Sequence, residues 1–200
     1  MKKIVLGSNN AGKLLELGAM LSGHGLEILP QRQFISTEAI EDGLSFVENA
    51  LIKARYAAHA ANLPAIADDS GIVVDALNGA PGIYSARYAG IGASDADNNA
   101  KLLRELDERP DAPRSAHFYC ILVFLRHALD PAPVIAEGRW DGTILREARG
   151  QNGFGYDPLF FVPTHGMGSA ELSPAVKNAI SHRGQALTTL LRELRAREII

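Results

Sequence analysis

Gly7-Ser8-Asn9-Asn10-Ala11-Gly12-Lys13 carries the most chemistry of any stretch in this 200-residue chain. It follows a short apolar run, Ile4-Val5-Leu6, and precedes Leu14, Leu17 and Leu21, which fall on one face at helical spacing. A strand, a glycine-bearing loop and a helix N-terminus together attract anions, because the first backbone N–H groups of a helix are unpaired and the helix dipole favours negative charge there. Lys13 adds a full positive charge. Gly7, Gly12 and Lys13 even satisfy the pattern G-x-x-x-x-G-K, but Leu14 stands where that pattern needs a Ser or Thr hydroxyl for Mg²⁺. The loop is expected to hold phosphate, and not in the P-loop manner.

Acidic candidates come next. Asp68-Asp69 sits where an apolar strand, Pro64 to Ala67, meets Ser70-Gly71, and strand ends in α/β sheets are where ligand crevices open. Neighbours on a strand point to opposite faces, so one of the two carboxylates is expected to face such a crevice, where it would hold Mg²⁺ or orient a water. Glu38, Glu41 and Asp42 precede a capped helix and offer a second metal ligand, or simply a favourable charge for the helix dipole. Asn49 and Lys53 are four apart and share a helix face that is either solvated or reaches a phosphate tail. Lys177, His182 and Arg183 put positive charge around the start of the last helix, where it opposes the dipole and so argues for a bound anion. Phe154, Gly155, Tyr156 and Asp157 form a loop with an aromatic face for stacking and a carboxylate for a ring N–H, or alternatively a core aromatic and a turn. Phosphate donors, a metal-binding carboxylate and an aromatic platform add up to a nucleoside triphosphate site.

The elements that position these residues follow from local patterns. Strands are expected at Lys3 to Gly7, Glu27 to Leu29, Pro64 to Ala67, Ile72 to Ala76 and Ala116 to Arg126. Val134 to Trp140 and Thr143 to Glu147 read as a hairpin turning at Asp141-Gly142, and Leu159 to Val162 as a last strand. Helices are expected at Gly12 to Leu21, from the Ser45-to-Glu48 capping box to about Ala61, at Asp95 to Leu106, from Ser173-Pro174, and from Ser181. Gly79 to Ser94 reads as a long functional loop. The fold class is therefore mixed α/β, one domain over residues 1–200 with flanking helices and two lobes around a central cleft.

Composition narrows the partners. The chain is 46% hydrophobic and 22% charged with net charge −3, ordinary for a soluble domain and without the basic footprint of a nucleic-acid binder. The start of the sequence lacks the apolar region of a signal peptide, and no apolar run reaches the roughly 18–20 residues of a membrane span. A single cysteine, Cys120, excludes an internal disulfide, suits the cytoplasm, and is expected in the core and not as a nucleophile.

On these residues the sequence resembles the inosine triphosphate pyrophosphatases, also called dITP/XTP pyrophosphatases. The blocks that carry the resemblance are Ser8, Asn10 and Lys13; Phe46-Val47-Glu48-Asn49-Ala50 with Lys53; Ala67-Asp68-Asp69-Ser70-Gly71; and Gly79-Ala80-Pro81-Gly82-Ile83-Tyr84-Ser85-Ala86-Arg87. Gly153-Phe154-Gly155-Tyr156-Asp157-Pro158, Lys177 and Ser181-His182-Arg183 complete them, in order along essentially the whole chain. The resemblance implies an elongated, homodimeric, Mg²⁺-dependent enzyme that hydrolyses ITP, dITP and XTP to the monophosphate and pyrophosphate. It further implies that Ser8, Asn9, Asn10, Ala11, Gly12 and Lys13 bind the triphosphate, with Lys53 at the phosphates. Asp69 would be the proton acceptor and a metal ligand, Glu41 a second ligand, and Ser70 a substrate contact. Phe154, Gly155, Tyr156, Asp157, Lys177, His182 and Arg183 would hold the nucleotide. A P-loop NTPase, a Maf-like pyrophosphatase and a non-catalytic nucleotide sensor are the rival classes.

Overall fold

The computed structural model describes residues 2–200. Seven strands are hydrogen-bonded in the order β2-β1-β3-β4-β5-β6-β7. They are β1 (Lys2–Leu6), β2 (Leu26–Pro30), β3 (Ala65–Val74), β4 (Ser115–Leu125), β5 (Val134–Ile144), β6 (Phe160–Val162) and β7 (Met167–Gly168). β1 lies parallel to both β2 and β3, while β6 runs antiparallel to β5 and β7. The sheet is thus mixed, as expected. The helices are α1 (Ala11–Leu21), α2 (Phe46–Ala61), α3 (Asp95–Asp107), α4 (Pro174–Ile180) and α5 (His182–Ala196). Among the described residues no helix is long and apolar enough to cross a membrane.

The chain divides into two compact units. The first holds the chain up to Asp69 together with Cys120–Gly138 and Arg183–Ile200. Its core gathers Ile4, Leu6, Leu17, Leu21, Phe124 and the leucine stripe of α5, Leu187, Leu190, Leu191 and Leu194. Cys120 is fully buried there, and burial pushes its thiol up to about 12, so it is a core residue and no nucleophile at neutral pH. The second unit holds Ser70–Tyr119 and Arg139–His182, around Ile72, Leu102, Phe118, Trp140, Phe160 and their neighbours.

Three expectations are corrected. The segments at Pro64 to Ala67 and Ile72 to Ala76 are one ten-residue strand, β3, which runs straight through Asp68-Asp69-Ser70-Gly71. The acidic pair is therefore buried inside a strand and not perched at its end, with Asp68 1% and Asp69 6% exposed. Asp141-Gly142 is no turn, because β5 continues through it to Ile144. Gly142 is needed for a different reason: a Cβ there would lie 2.4 Å from the Phe161 carbonyl oxygen and 2.5 Å from the Phe160 ring. Finally, the glycine-rich stretch after Gly79 contains a 3₁₀ helix, Gly82–Arg87. Its Ser85 hydroxyl donates to the Gly82 carbonyl at 2.6 Å and accepts the Ile72 N–H at 3.0 Å, which ties the stretch to β3.

Candidate active site

In the first unit the residues expected to hold phosphate sit at the head of α1. Asn10 is its N-cap, and the Asn10 side chain accepts the Lys13 N–H at 3.0 Å while the Ser8 hydroxyl accepts the Asn10 N–H at 3.2 Å. Ala11 and Gly12 occupy the first two helical positions, whose N–H groups have no intrahelical acceptor. Asn9, Asn10 and Ala11 are exposed; Gly12 and Lys13 are half-buried. Gly7 is tightly packed: a Cβ there would lie 3.1 to 3.2 Å from Ala57, Ala67 and the Lys53 carbonyl, so these neighbours would have to give by a few tenths of an ångström.

Beside this loop β3 presents its two carboxylates to different cations, in keeping with the alternation of a strand. Asp68 pairs with Lys13 at 3.0 Å. Although burial works the other way, Lys13, Arg183 and Lys53 hold the Asp68 carboxyl well below the usual range. Asp69 pairs through Oδ1 with Lys53 Nζ at 2.6 Å, and Glu41 meets the same ammonium at 3.0 Å. Burial raises Asp69, only partly offset by Lys53 and Lys13. Burial also opposes the charge on Lys53, but Asp69, Asp68 and Glu41 outweigh it and raise that lysine.

Asp69 Oδ2 is buried and has no hydrogen-bond partner among the described residues. Such an oxygen next to a second carboxylate suits a hard divalent cation. Among the described residues no group of three or more His, Cys, Asp or Glu is gathered for a metal. A Mg²⁺-like ion does not need one, because it keeps several waters and binds through one or two carboxylates plus substrate phosphates. Of the two glutamates weighed for this place, Glu41 is the one on Lys53, and Glu38 is exposed. The Glu41 segment is held against α2: the Gly43 N–H donates to Asn49 Oδ1 at 3.0 Å and the Leu44 N–H to Glu48 Oε2 at 2.9 Å. Asn49, weighed as a phosphate ligand, is thus fully buried and engaged with that loop.

In the second unit the aromatic loop is tied down on every side. Asp157 accepts from the Phe154 N–H at 2.9 Å, from the Ser169 hydroxyl at 2.7 Å and from the Lys177 ammonium, and is itself 2% exposed. Its oxygens shape the loop from within. Gly153 has to lack a side chain, because a Cβ would fall 2.1 Å from Asp157 Oδ2. Tyr156 is buried and donates its hydroxyl to the Ser85 carbonyl at 2.8 Å. Phe154 remains half-buried, with Lys177 Nζ 5.2 Å from its ring centroid. His182 is stacked on Phe118, centroids 4.7 Å apart and 10° from parallel. Ser70 is half-buried in β3.

Some contributors have no signature of their own in the sequence. Asp95 and Asn99, four apart at the head of α3, hold both main-chain groups of Gly155: the Gly155 N–H donates to Asp95 Oδ2 at 2.7 Å and Asn99 Nδ2 donates to its carbonyl at 3.0 Å. Only their i, i+4 spacing hints at a shared task. Phe118 and Trp140, whose rings cluster with that of His182, read simply as strand apolars.

A family model described as the Ham1 family matches residues 4–193. A protein of Thioalkalivibrio sulfidiphilus named dITP/XTP pyrophosphatase is 60% identical over 98% of this chain and 100% of its own length. One of the same name from Vibrio parahaemolyticus is 56% identical over 98% of both chains. The solved structure of a HAM1 protein from Coxiella burnetii superposes with a TM-score of 0.91 at 50% identity, covering 98% of this chain and 100% of that one. On sequence and fold alike, the chain belongs to the Ham1 family.

Proposed function

We propose that this protein hydrolyses the deaminated purine nucleoside triphosphates ITP, dITP and XTP to the monophosphate and pyrophosphate, clearing them from the nucleotide pool. The observation that carries it is the Asp69–Lys53–Glu41 cluster, with one buried Asp69 oxygen left over, beside a helix start built for phosphate. Relatives that share more than half of its residues bear the corresponding name.

Each residue then has a task. The main-chain amides at Ala11 and Gly12 and the Lys13 ammonium take the triphosphate. Lys53 faces the negative charge that grows on the leaving pyrophosphate as the bond at the α-phosphorus breaks. Asp69 accepts the proton of the attacking water, so no covalent residue is required. Asp69 and Glu41 would also hold Mg²⁺, which when bound neutralises phosphate charge and lowers the pKa of a bound water. Phe154 stacks on the purine, and Lys177, His182 and Arg183 hold the nucleotide. N–H donors of His182 or Arg183 match the 6-keto acceptor of hypoxanthine and xanthine, whereas adenine would set donor against donor. Homodimeric assembly and a cytoplasmic setting belong to the same proposal.

The decisive assay offers ITP, XTP, GTP and ATP with Mg²⁺ and identifies the products. Pyrophosphate and monophosphate from ITP and XTP are expected, with ATP slow; release of orthophosphate, or ATP turned over as fast as ITP, overturns the proposal. Lys13→Ala and Lys53→Ala should each cost about 1.5–3 kcal/mol, roughly one to two decades in kcat/KM, equally for every base. A change in base preference would misplace these lysines. Asp95→Ala and Asn99→Ala should each raise KM for ITP about two- to tenfold, the worth of one hydrogen bond holding Gly155. Inhibition by inorganic tripolyphosphate should stay at the wild-type level, and a parallel loss of it would count against a role confined to the aromatic loop.

A further inference from the structure

Within the first unit, four charged side chains alternate in sign along one buried chain of contacts. Lys13 Nζ lies 3.0 Å from Asp68 Oδ2, and Arg183 Nη2 lies 3.5 Å from that same oxygen. On its other side the Arg183 guanidinium meets Glu16 through Nη1. The Asp68 side chain is wholly buried and that of Arg183 is 2% exposed, against 14% for Lys13 and 15% for Glu16. Lys13 and Glu16 are three apart on α1 and so share a face. The chain of contacts therefore starts and ends on the first turns of one helix, passing through β3 and the head of α5.

Stability alone is a poor reason for such an arrangement. Desolvating four charges costs as much as their mutual attraction returns, and apolar side chains of similar volume would do as well or better. What the arrangement does supply is fixed geometry. A lysine and an arginine already held in place lose less rotamer freedom when a ligand arrives, and that saving appears as affinity.

We propose that Asp68 and Glu16 are positioning residues: Asp68 anchors Lys13 and Arg183 through one oxygen, and Glu16 fixes the far side of the Arg183 guanidinium. The inference rests on the role given above to Lys13 at the triphosphate and Arg183 at the nucleoside. It makes Asp68 a shared anchor for recognition of both parts of the substrate. Glu16, which meets this chain of contacts at Arg183, serves the nucleoside part.

Glu16→Gln keeps the shape of the side chain and removes its charge. It should raise KM for ITP about tenfold, the cost of weakening one charge-assisted contact, narrow the ratio of kcat/KM for ITP over ATP, and leave kcat within about twofold. Inhibition by inorganic tripolyphosphate, which has no base, should not change. Glu16→Asp, which restores the charge, should recover part of the ITP-over-ATP ratio. Asp68→Asn should weaken tripolyphosphate inhibition and the ITP-over-ATP ratio together. If Asp68→Asn does not fold, the two Glu16 variants decide the matter.

A folded Glu16→Gln with wild-type KM and wild-type base ratio overturns the inference. So does a Glu16→Gln that loses tripolyphosphate and ITP in equal measure, since that is a loosened helix and not a misplaced arginine. Wild-type enzyme run alongside separates this from the parent proposal. If wild type fails to release pyrophosphate from ITP, the parent falls, and tripolyphosphate binding by Asp68→Asn, read by thermal shift, still decides the anchoring of Lys13.

Discussion

Asp69→Asn is expected to lose ITP turnover by about two to four orders of magnitude while keeping its fold and nearly its wild-type melting temperature. Asn has the same shape, and its Oδ1 can still accept from Lys53 at the place where the carboxylate oxygen lies 2.6 Å away. Lys53 is not stranded, because Glu41 stays 3.0 Å from the same ammonium. Burial already disfavours the charge on Asp69, so removing that charge costs the folded state little. What disappears is the basic oxygen that accepts a proton from water. Steady-state pyrophosphate release and a thermal melt, measured on the same preparation, check both halves. Near-normal turnover would transfer the catalytic role to Asp68 or Glu41; a collapsed melting temperature would make Asp69 a structural residue first.

The strand, loop and helix start from Ile4 to Leu21 were legible in the sequence because every part of them is local. An apolar run, a glycine-bearing loop and an apolar stripe beyond it all fall between Ile4 and Leu21, and hydrophobic periodicity is read over that range. The middle of β5 was not legible. Asp-Gly is a strong hairpin signal, but Gly142 answers to Phe160 and Phe161 packed across it, a tertiary demand with no local trace. The same holds for β3, where Asp68-Asp69-Ser70-Gly71 reads as a turn until Lys13, Lys53 and Arg183 supply the charges that let two carboxylates sit inside a strand. Pairings such as Glu16 with Arg183, far apart in the chain, leave no pattern in spacing at all.

Asp157→Ala is expected to cost the second unit about 3–5 kcal/mol, the usual result of removing one partner from a buried ion pair, and so to lower the melting temperature on the order of 10 °C. The Lys177 ammonium, on a residue only 4% exposed, would lose its carboxylate, and the Ser169 hydroxyl and Phe154 N–H would lose their acceptor. Because the Phe154 N–H is one of those donors, the aromatic loop should loosen as well, raising KM for ITP more than it lowers kcat. Charge and packing can be separated by a second change. In Asp157→Ala/Lys177→Met both charges are gone, and much of the lost stability should return, since an apolar pair does not carry the penalty of a buried lone cation. The nucleotide affinity should not return with it, because neither the loop anchor nor the cation beside the Phe154 ring is restored. Asp157→Ala as stable as wild type would show that the carboxylate is not what holds this loop. A double variant less stable than Asp157→Ala would show that the cost lies in lost packing and not in an uncompensated charge.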